Sequence, residues 1–597
     1  MTQPTLGLLE KLRPPPGFHT AAALGATYSA DLLTCMAVLT TMDGGDGEQV
    51  RYGRVEAYRA LDRLRDKVRI CHQAGRLSRR DGAKYPSLAL LDRVLIPVRV
   101  PGSGSFHPKV WLVRQVDDTN HERFVLIVSS RNLSTSTDWD LGIAVEGTLG
   151  GAGVPLPRVR EFAEHALSLA GEPERLSTFG ALDDVRWKLP PPIRELIFDF
   201  QAGGDGSRHL HREWATFTGQ PSRVLLLSPF IDERMVNEAA TRWSRVPTRR
   251  LVAGTDGLVT VALGRRREEL RALEPRQIVA ASDAPEPMEA EVGEASEDEV
   301  EKVRALHAKV IALDDGKRGT VIVGSNNLTS SGWCGGSTEA FVRMSGDAAL
   351  CEPLWDWAKS QAEIFDFPEV GTPPPKPPIL EQTKDILHAV LFRLEDVGAG
   401  SPSHLVMLNP TKLDLPEGVR LDVARYTTPR DAVPFPVGAS AVDLPGCPTA
   451  LRTRFVVCTL RHGDDETAWI ASVDIEPQLG DERDRELVAR LLGLREFLAY
   501  LQSLRSDEVI PGTVEGDPDD DPTKPPPQQG HAALVDSVHL EGLLQRLVAD
   551  PEAFDEMDRA VTRYAELIKK GLLSPDELAL LGQFLEAWSA IREAFRR

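Results

Sequence analysis

Two short runs in this sequence place a histidine two residues before a lysine at the head of an apolar, strand-like segment. Leu306-His307-Ala308-Lys309 leads into residues 310–313, with Asp314 next and Gly324-Ser325-Asn326-Asn327 further on. Phe106-His107-Pro108-Lys109 leads into Val110-Trp111-Leu112-Val113, and Ser129-Ser130-Arg131-Asn132 follows. His, Lys and Asn recur in one order, and the two histidines stand 200 residues apart. Such a repeat implies a duplicated unit with one composite site. The chemistry these types can do is phosphoryl transfer without a metal: one imidazole attacks phosphorus and a second protonates the leaving oxygen. Lys109, Lys309, Asn132 and Asn327 are the types that hold negative charge on the non-bridging oxygens. In an extended chain residues i and i+2 share a face, so each His and its Lys can reach the same phosphate. One His-x-Lys alone is weak evidence, because a strand His beside a surface Lys is common. Two copies, each with its Asn run, carry far more.

The elements that must position these groups read as an α/β chain. Residues 27–33 enter a strand and helix of the core. Residues 51–80 read as helical and basic, and Arg59, Arg63, Arg69, Arg76, Arg79 and Arg80 are candidates for phosphate contact. The bland reading is a solvated face interleaved with Glu56, Asp62 and Asp66. Residues 93–100, 124–128 and 143–146 read as strands, so His107, Lys109 and Asn132 fall on or just after strand ends. In the second half, residues 223–229, 250–253 and 258–263 read as strands, 233–243 as a helix, and 286–303 as an acidic surface helix. Residues 338–342 form a strand that matches the one carrying Glu146.

The paired runs resemble the phospholipase D superfamily, whose pattern is His-x-Lys, four residues, Asp, then Gly-Ser-x-Asn. His307, Lys309, Asp314 and Gly324 to Asn327 stand in place in the second copy, whereas Arg114 and Ser129-Ser130-Arg131-Asn132 depart from the pattern in the first. The tyrosyl-DNA phosphodiesterase branch works with His, Lys and Asn alone. It is also similar in the residues after each Asn: Asn132-Leu133-Ser134 with Trp139, and Asn327-Leu328-Thr329 with Trp333. The resemblance covers residues of about 25 to 365. It implies that His107 is the nucleophile forming a phosphohistidine, that His307 is the acid and then the base for water, and that the lysines and asparagines clamp the phosphate. Which histidine attacks is left open by the residues themselves. Glu146 and Glu339 resemble the superfamily's downstream acidic residues, which would orient the histidines. The asymmetry of Asp314 against Arg114 favours nucleic acid over lipid in this reading.

The fold expected is α/β: two phospholipase D-like half-domains with mixed sheets forming one composite active site, at 1–200 and 201–367. A Pro-rich linker at 368–378, a small β-rich domain at 379–480 and a helical C-terminal region at 481–597 come after them, the last with a disordered acidic linker at 508–532. A chain of 597 residues has room for about four units of about 150. No run approaches the roughly 18 to 20 apolar residues of a membrane span, and Met1 to Pro16 lacks a secretory pattern, so a cytoplasmic protein without a membrane partner is expected. Six scattered cysteines lack paired spacing, and His209-Leu210-His211 has no further ligand nearby, so neither metal nor cofactor is expected. The net charge of −20 excludes general coating of nucleic acid and leaves room only for a local basic groove. The partner expected is nucleic acid, DNA first, cut by a phospholipase D-type nuclease. By analogy, the C-terminal region would dock a helicase or another protein of a restriction or antiviral defence system. The alternatives are a phospholipase or phosphatidyltransferase, and a catalytically inactive nucleic-acid-binding scaffold.

Overall fold

The computed structural model of the chain describes residues 7–45, 54–78, 86–204 apart from 103 and 135–137, 220–278, 305–369, 378–491 apart from 397, 399, 410 and 411, and 575–596, with scattered positions between 554 and 565. Arg79, Arg80, the pair His209 and His211, and the acidic stretches 286–301 and 511–529 lie outside the described residues.

Two mixed sheets repeat one strand order. The first has seven strands, in the order Leu95–Val98, Val68–Gln73, Phe18–Thr27, Val110–Asp117, Glu122–Ser129, Gly142–Leu149 and Val185–Trp187. The second has eight: Ile193–Gln201, Glu339–Asp347, Arg318–Gly324, Val310–Asp314, Arg223–Ser228, Thr248–Ala253, Pro275–Gln277 and Glu363–Ile364. Read from Pro275–Gln277 to Glu339–Asp347, six strands of the second sheet reproduce the first six of the first; Glu363–Ile364 is an added edge, and Ile193–Gln201, at the other edge, comes before its unit in sequence. The register repeats as well, with Ala26 opposite Val110 and Leu227 opposite Val310.

Alternation along the strands decides the layers, because successive side chains leave a strand on opposite faces. Ala22, Leu24, Ala26, Leu112 and Leu126 share one core with Leu225, Leu227, Ala312, Val323 and Val342, so the two sheets pack on each other. The intervening Ala23, Trp111, Val113, Val125 and Ile127 belong to a second core, built with the helices Leu32–Met42 and Arg54–Leu64. On the other sheet Val224, Leu226, Ile311 and Ile322 pack with the helices Glu233–Arg242 and Thr255–Leu263. Residues 258–263 are therefore helical rather than a strand; Leu258, Val261 and Ala262 bury one face at helical intervals. Helices Leu32–Met42 and Glu233–Arg242 begin alike: Asp31 caps Thr34 N at 2.7 Å, and Asp232 caps Met235 N at 2.8 Å. The stretch 51–80 is not one helix. It ends its helix at Leu64 and continues as the buried strand Val68–Gln73, parallel to Phe18–Thr27.

The strands between 391 and 476 form a four-stranded sheet and part of a six-stranded one. The latter does not stop at the Pro-rich linker. Leu77–Ser78 pairs with Asp465–Ser472, and Ala30–Asp31 pairs with Leu77–Ser78, so two strand pieces of the first half extend the accessory sheet. Tyr426, Phe455, Val457, Ile470 and Leu487 sit in the same core as Leu12, Leu39, Val68 and Ile127. Arg483 of helix Asp481–Leu491 forms an ion pair with Asp92, both side chains only 1% exposed. Among the described residues no helix is long and apolar enough to cross a membrane.

Candidate active site

Where the two sheets meet, the chain segments leading into the site cross from one half to the other. Phe106 bridges to Thr338, and Trp139 bridges to Leu306. His107 N donates to Thr338 O at 2.9 Å and Thr338 N to Ser105 O at 2.8 Å; Trp139 N donates to Ala305 O at 2.8 Å and His307 N to Trp139 O at 2.9 Å. Gly104 allows the first crossing, since a Cβ there would collide with Gly336 O. The residue after Thr338 is Glu339, and the residue after Trp139 is Asp140. Backbone pairing therefore sets an acid from each half beside the histidine of the other.

The side chains complete this exchange. His107 Nδ1 lies 3.0 Å from Glu339 Oε2, and His307 Nδ1 lies 2.9 Å from Asp140 Oδ1. With Nδ1–H donating to the acid beside it, each Nε2 is left for the reaction, as a lone pair in the neutral ring and as a donor in the protonated one. Lys109 Nζ is 3.2 Å from His107 Nε2 and donates to His107 O at 2.9 Å; Lys309 Nζ donates to His307 O at 2.6 Å. The acids are held in turn by the serines of the Asn runs: Ser130 Oγ donates to Asp140 Oδ1 at 3.1 Å, and Ser325 Oγ to Glu339 Oε2. Asn132 and Asn327 stand two residues later, just before the anchors Leu133 N to Thr27 Oγ1 and Leu328 N to Ser228 Oγ. The Oδ1 of each asparagine is buried without a hydrogen-bond partner among the described residues, so it plays no part in holding the fold.

Burial and crowding of like charge shift these groups. Burial, then Lys109, Lys309 and His307, hold His107 well below the usual imidazole range. His307 is lowered by burial too, but the hydrogen bond to Asp140 pulls the other way. Burial lowers Lys309 to about 7 against the pull of Asp140 and Glu339, and burial with Lys309 lowers Lys109 well below a normal lysine. Glu339 is pushed up to about 8 by burial despite Lys109, Ser325 and Lys309. A phosphodiester brings the negative charge that would favour both ammonium groups again.

Seven of the residues expected from the sequence lie here: His107, Lys109, His307, Lys309 and Glu339 are tied together by the contacts above, and Asn132 and Asn327 stand two residues after the serines. Glu146 does not join them. It lies on Gly142–Leu149, exposed, and pairs with Arg123 at 2.7 Å, which holds its carboxyl below the usual range. Asp140 takes the position expected for it. Ser130 N donates to Leu141 O at 2.8 Å and Ser325 N to Ala340 O at 2.9 Å, so Asp140 and Glu339 each stand one residue before the backbone partner of the site serine. Asp314 lies outside the site as well. It is fully buried at the far end of its strand and bonded to Arg223 Nε at 3.1 Å. Arg114, its counterpart, pairs with Glu122 at 2.7 Å. The Asp314/Arg114 asymmetry is thus a difference in scaffold ion pairs and says nothing about nucleic acid or lipid.

Arg59, Arg63 and Arg69 of the basic run are likewise spent on the scaffold. Arg59 and Arg63 pair with Asp43 at 2.8 and 3.5 Å, and buried Arg69 pairs with Glu172 at 2.8 Å while donating to the Arg65 and Val68 carbonyls. Arg76 alone of these reaches toward the site. It pairs with Asp385 at 2.8 Å and stands 5.1 Å from the ring of Tyr28, whose edge meets His107 at 4.8 Å. Neither Tyr28 nor the two serines was singled out from sequence as functional. No group of three or more metal-ligating side chains occurs among the described residues.

Among solved structures, yeast tyrosyl-DNA phosphodiesterase is similar at 12% identity and a TM-score of 0.37, over 56% of this chain and 86% of that one. Phosphatidylserine synthase of Haemophilus influenzae Rd KW20 is similar at 12% identity and 0.36, over 64% and 89%. Polyphosphate kinase of Porphyromonas gingivalis is similar at 12% and 0.34, over 64% and 51%. In sequence, no family profile and no curated protein matches. These are distant likenesses, and the functional reading rests on the geometry of the site.

Proposed function

We propose that the protein is a phosphodiesterase acting on nucleic acid, DNA first, through a phosphohistidine, with nucleophile, acid and charge all supplied by side chains. The observation that carries this reading is the reciprocal pairing of His107 with Glu339 and of His307 with Asp140, beside Lys109 and Lys309. The two histidines suit different roles. Burial, then the two lysines, disfavour the cation of His107, so its Nε2 stays unprotonated and serves as nucleophile. His307 has a carboxylate partner that supports a proton, and so serves as the acid.

In the first step His107 Nε2 forms a bond to phosphorus as the bond to the leaving oxygen breaks, and His307 Nε2 gives that oxygen a proton. In the second, His307 takes a proton from water, the water oxygen bonds to phosphorus, and the phosphorus–nitrogen bond breaks to restore His107. Lys109, Lys309, Asn132 and Asn327 hold the non-bridging oxygens through both steps, where charge stabilisation in a dry site has its largest effect.

The choice of nucleic acid is supported by the resemblance of the Asn-Leu-Ser and Asn-Leu-Thr runs to the DNA phosphodiesterase branch. Cleavage of labelled single- and double-stranded DNA in EDTA tests the reading, with loss of cleavage expected in His107→Ala and His307→Ala. Absence of cleavage of DNA and RNA alike, or cleavage unaffected by both substitutions, overturns it. Docking of a helicase or other defence-system protein on the C-terminal region belongs to the same proposal, and capture of a named candidate by the full chain tests it.

A further inference from the structure

From the site serine to the leucine anchor the two runs, Ser130-Arg131-Asn132-Leu133 and Ser325-Asn326-Asn327-Leu328, differ at one position. Ser130 and Ser325 both hold the acid, and Asn132 and Asn327 both precede a leucine anchor. Between them stands Arg131 in the first half and Asn326 in the second. Asn326 is structural: it is buried, and its Nδ2 donates to Gly332 O at 2.7 Å. Arg131 is not buried. Its side chain is 40% exposed, its Nε lies 3.9 Å from Asp140 Oδ2, and a guanidinium NH2 donates to Ser134 O at 3.3 Å.

Asp140 uses its other oxygen for His307, so the Arg131 guanidinium stands at the rim of the site on the His307 side. With 40% of its side chain exposed, the guanidinium can be reached by an anion arriving from solvent. That side is where the leaving oxygen departs, because in-line displacement puts it opposite His107. A single phosphodiester of a lipid fills the site between the lysines and has no second phosphate to offer there. A polynucleotide has one on each side of the bond being cut.

We propose that Arg131 binds the phosphate next to the scissile one on the leaving-group side, and so selects a polynucleotide over an isolated phosphodiester. This rests on the nucleic-acid reading above. A guanidinium is suited to it, because its planar fork matches two phosphate oxygens and it stays charged throughout the working pH range. Each phosphate neutralised on a single strand adds about 0.7 to the slope of log affinity against log salt.

The test walks a single neutral methylphosphonate along a labelled single-stranded DNA substrate cut by the full chain. Wild type is expected to lose about tenfold in kcat/KM when the neutral group flanks the cut on the leaving side, a loss typical of one charge-assisted phosphate contact. Arg131→Ala should lose less than twofold from the same change, and its salt slope should be shallower by about 0.7. Arg131→Lys should recover part of both. Equal methylphosphonate profiles for wild type and Arg131→Ala overturn the proposal. So does a change confined to kcat and its pH profile, which would mean that Arg131 acts only by orienting Asp140. If wild type cuts no DNA, the nucleic-acid reading has failed and this inference with it; if wild type cuts and the profiles coincide, this inference alone has failed.

Discussion

The half carrying His107 and the half carrying His307 share the central strand order, capped helix, serine-held acid and crossed backbone, and besides the Asp314/Arg114 ion pairs they differ in three places. The acid beside His107 is Glu339 and that beside His307 is Asp140; Arg131 stands where the other half has Asn326; and, among the described residues, only the first half is joined by the accessory sheet. What is equal is what a phosphate between two imidazoles requires. What differs is the division of labour, since a nucleophile and an acid need opposite protonation states.

The sharpest way to break that division is to remove each histidine in turn and look for the covalent intermediate. His107→Ala should abolish phosphohistidine formation altogether. His307→Asn should still form it on a substrate with a good leaving group, but release it about 10² to 10⁴ times more slowly, the usual worth of general acid–base help. Accumulation of the adduct in the His107 variant instead, read by acid-labile labelling, would exchange the two roles.

The carboxylates come next. Asp140→Asn should cost about 10²-fold in kcat and move the requirement for protonated His307 to lower pH, because the group that raises its pKa is gone. Glu339→Gln should lower kcat without that displacement, since His107 works unprotonated. Matching shifts in the two pH profiles would make the halves equivalent.

A third test uses the lysines. Lys309 is lowered to about 7, so in the free enzyme its cation is present below that pH and lost as pH rises through it. kcat/KM should therefore fall above about pH 7, and the limb should move to higher pH in Lys309→Arg, whose charge persists. The limb for kcat should lie higher than that for kcat/KM, as bound phosphate supports the ammonium.

The accessory contact is probed by stability. Asp92→Ala removes one of the two buried carboxylates beside Arg483, Asp484 remaining at 2.8 Å, and should destabilise the fold by about 1.5–3 kcal/mol in denaturant titration. The smallest effect belongs to Glu146→Gln, which should change kcat less than twofold, as its carboxylate serves only an exposed pair with Arg123.

The catalytic types were legible in the sequence because His-x-Lys at a strand head fixes its own geometry over three residues. Asn132 and Asn327 were legible for the same local reason. Asp140 was not, because the residue that orients His307 is 167 positions away and reaches it only by backbone crossing. Glu146 attracted attention in its place because it lies on the matching strand, Gly142–Leu149, whereas Asp140 stands two residues before that strand begins. The arginines of residues 51–80 misled in another way. Composition shows charge, but only packing shows that Arg59 and Arg69 had already met Asp43 and Glu172. The helix over 258–263 was lost to short apolar runs that suit either period.

The accessory sheet changes what a boundary means in this chain. The Pro-rich stretch divides the sequence, yet Phe455, Ile470 and Leu487 complete a core begun by Leu12 and Leu39, and Trp469 pairs in register with Ser78. A backbone cut between residues 369 and 378 should consequently leave two pieces that stay together as a non-covalent complex. Residues 1–367 produced alone should be poorly soluble, and production alongside residues 378–597 should rescue them.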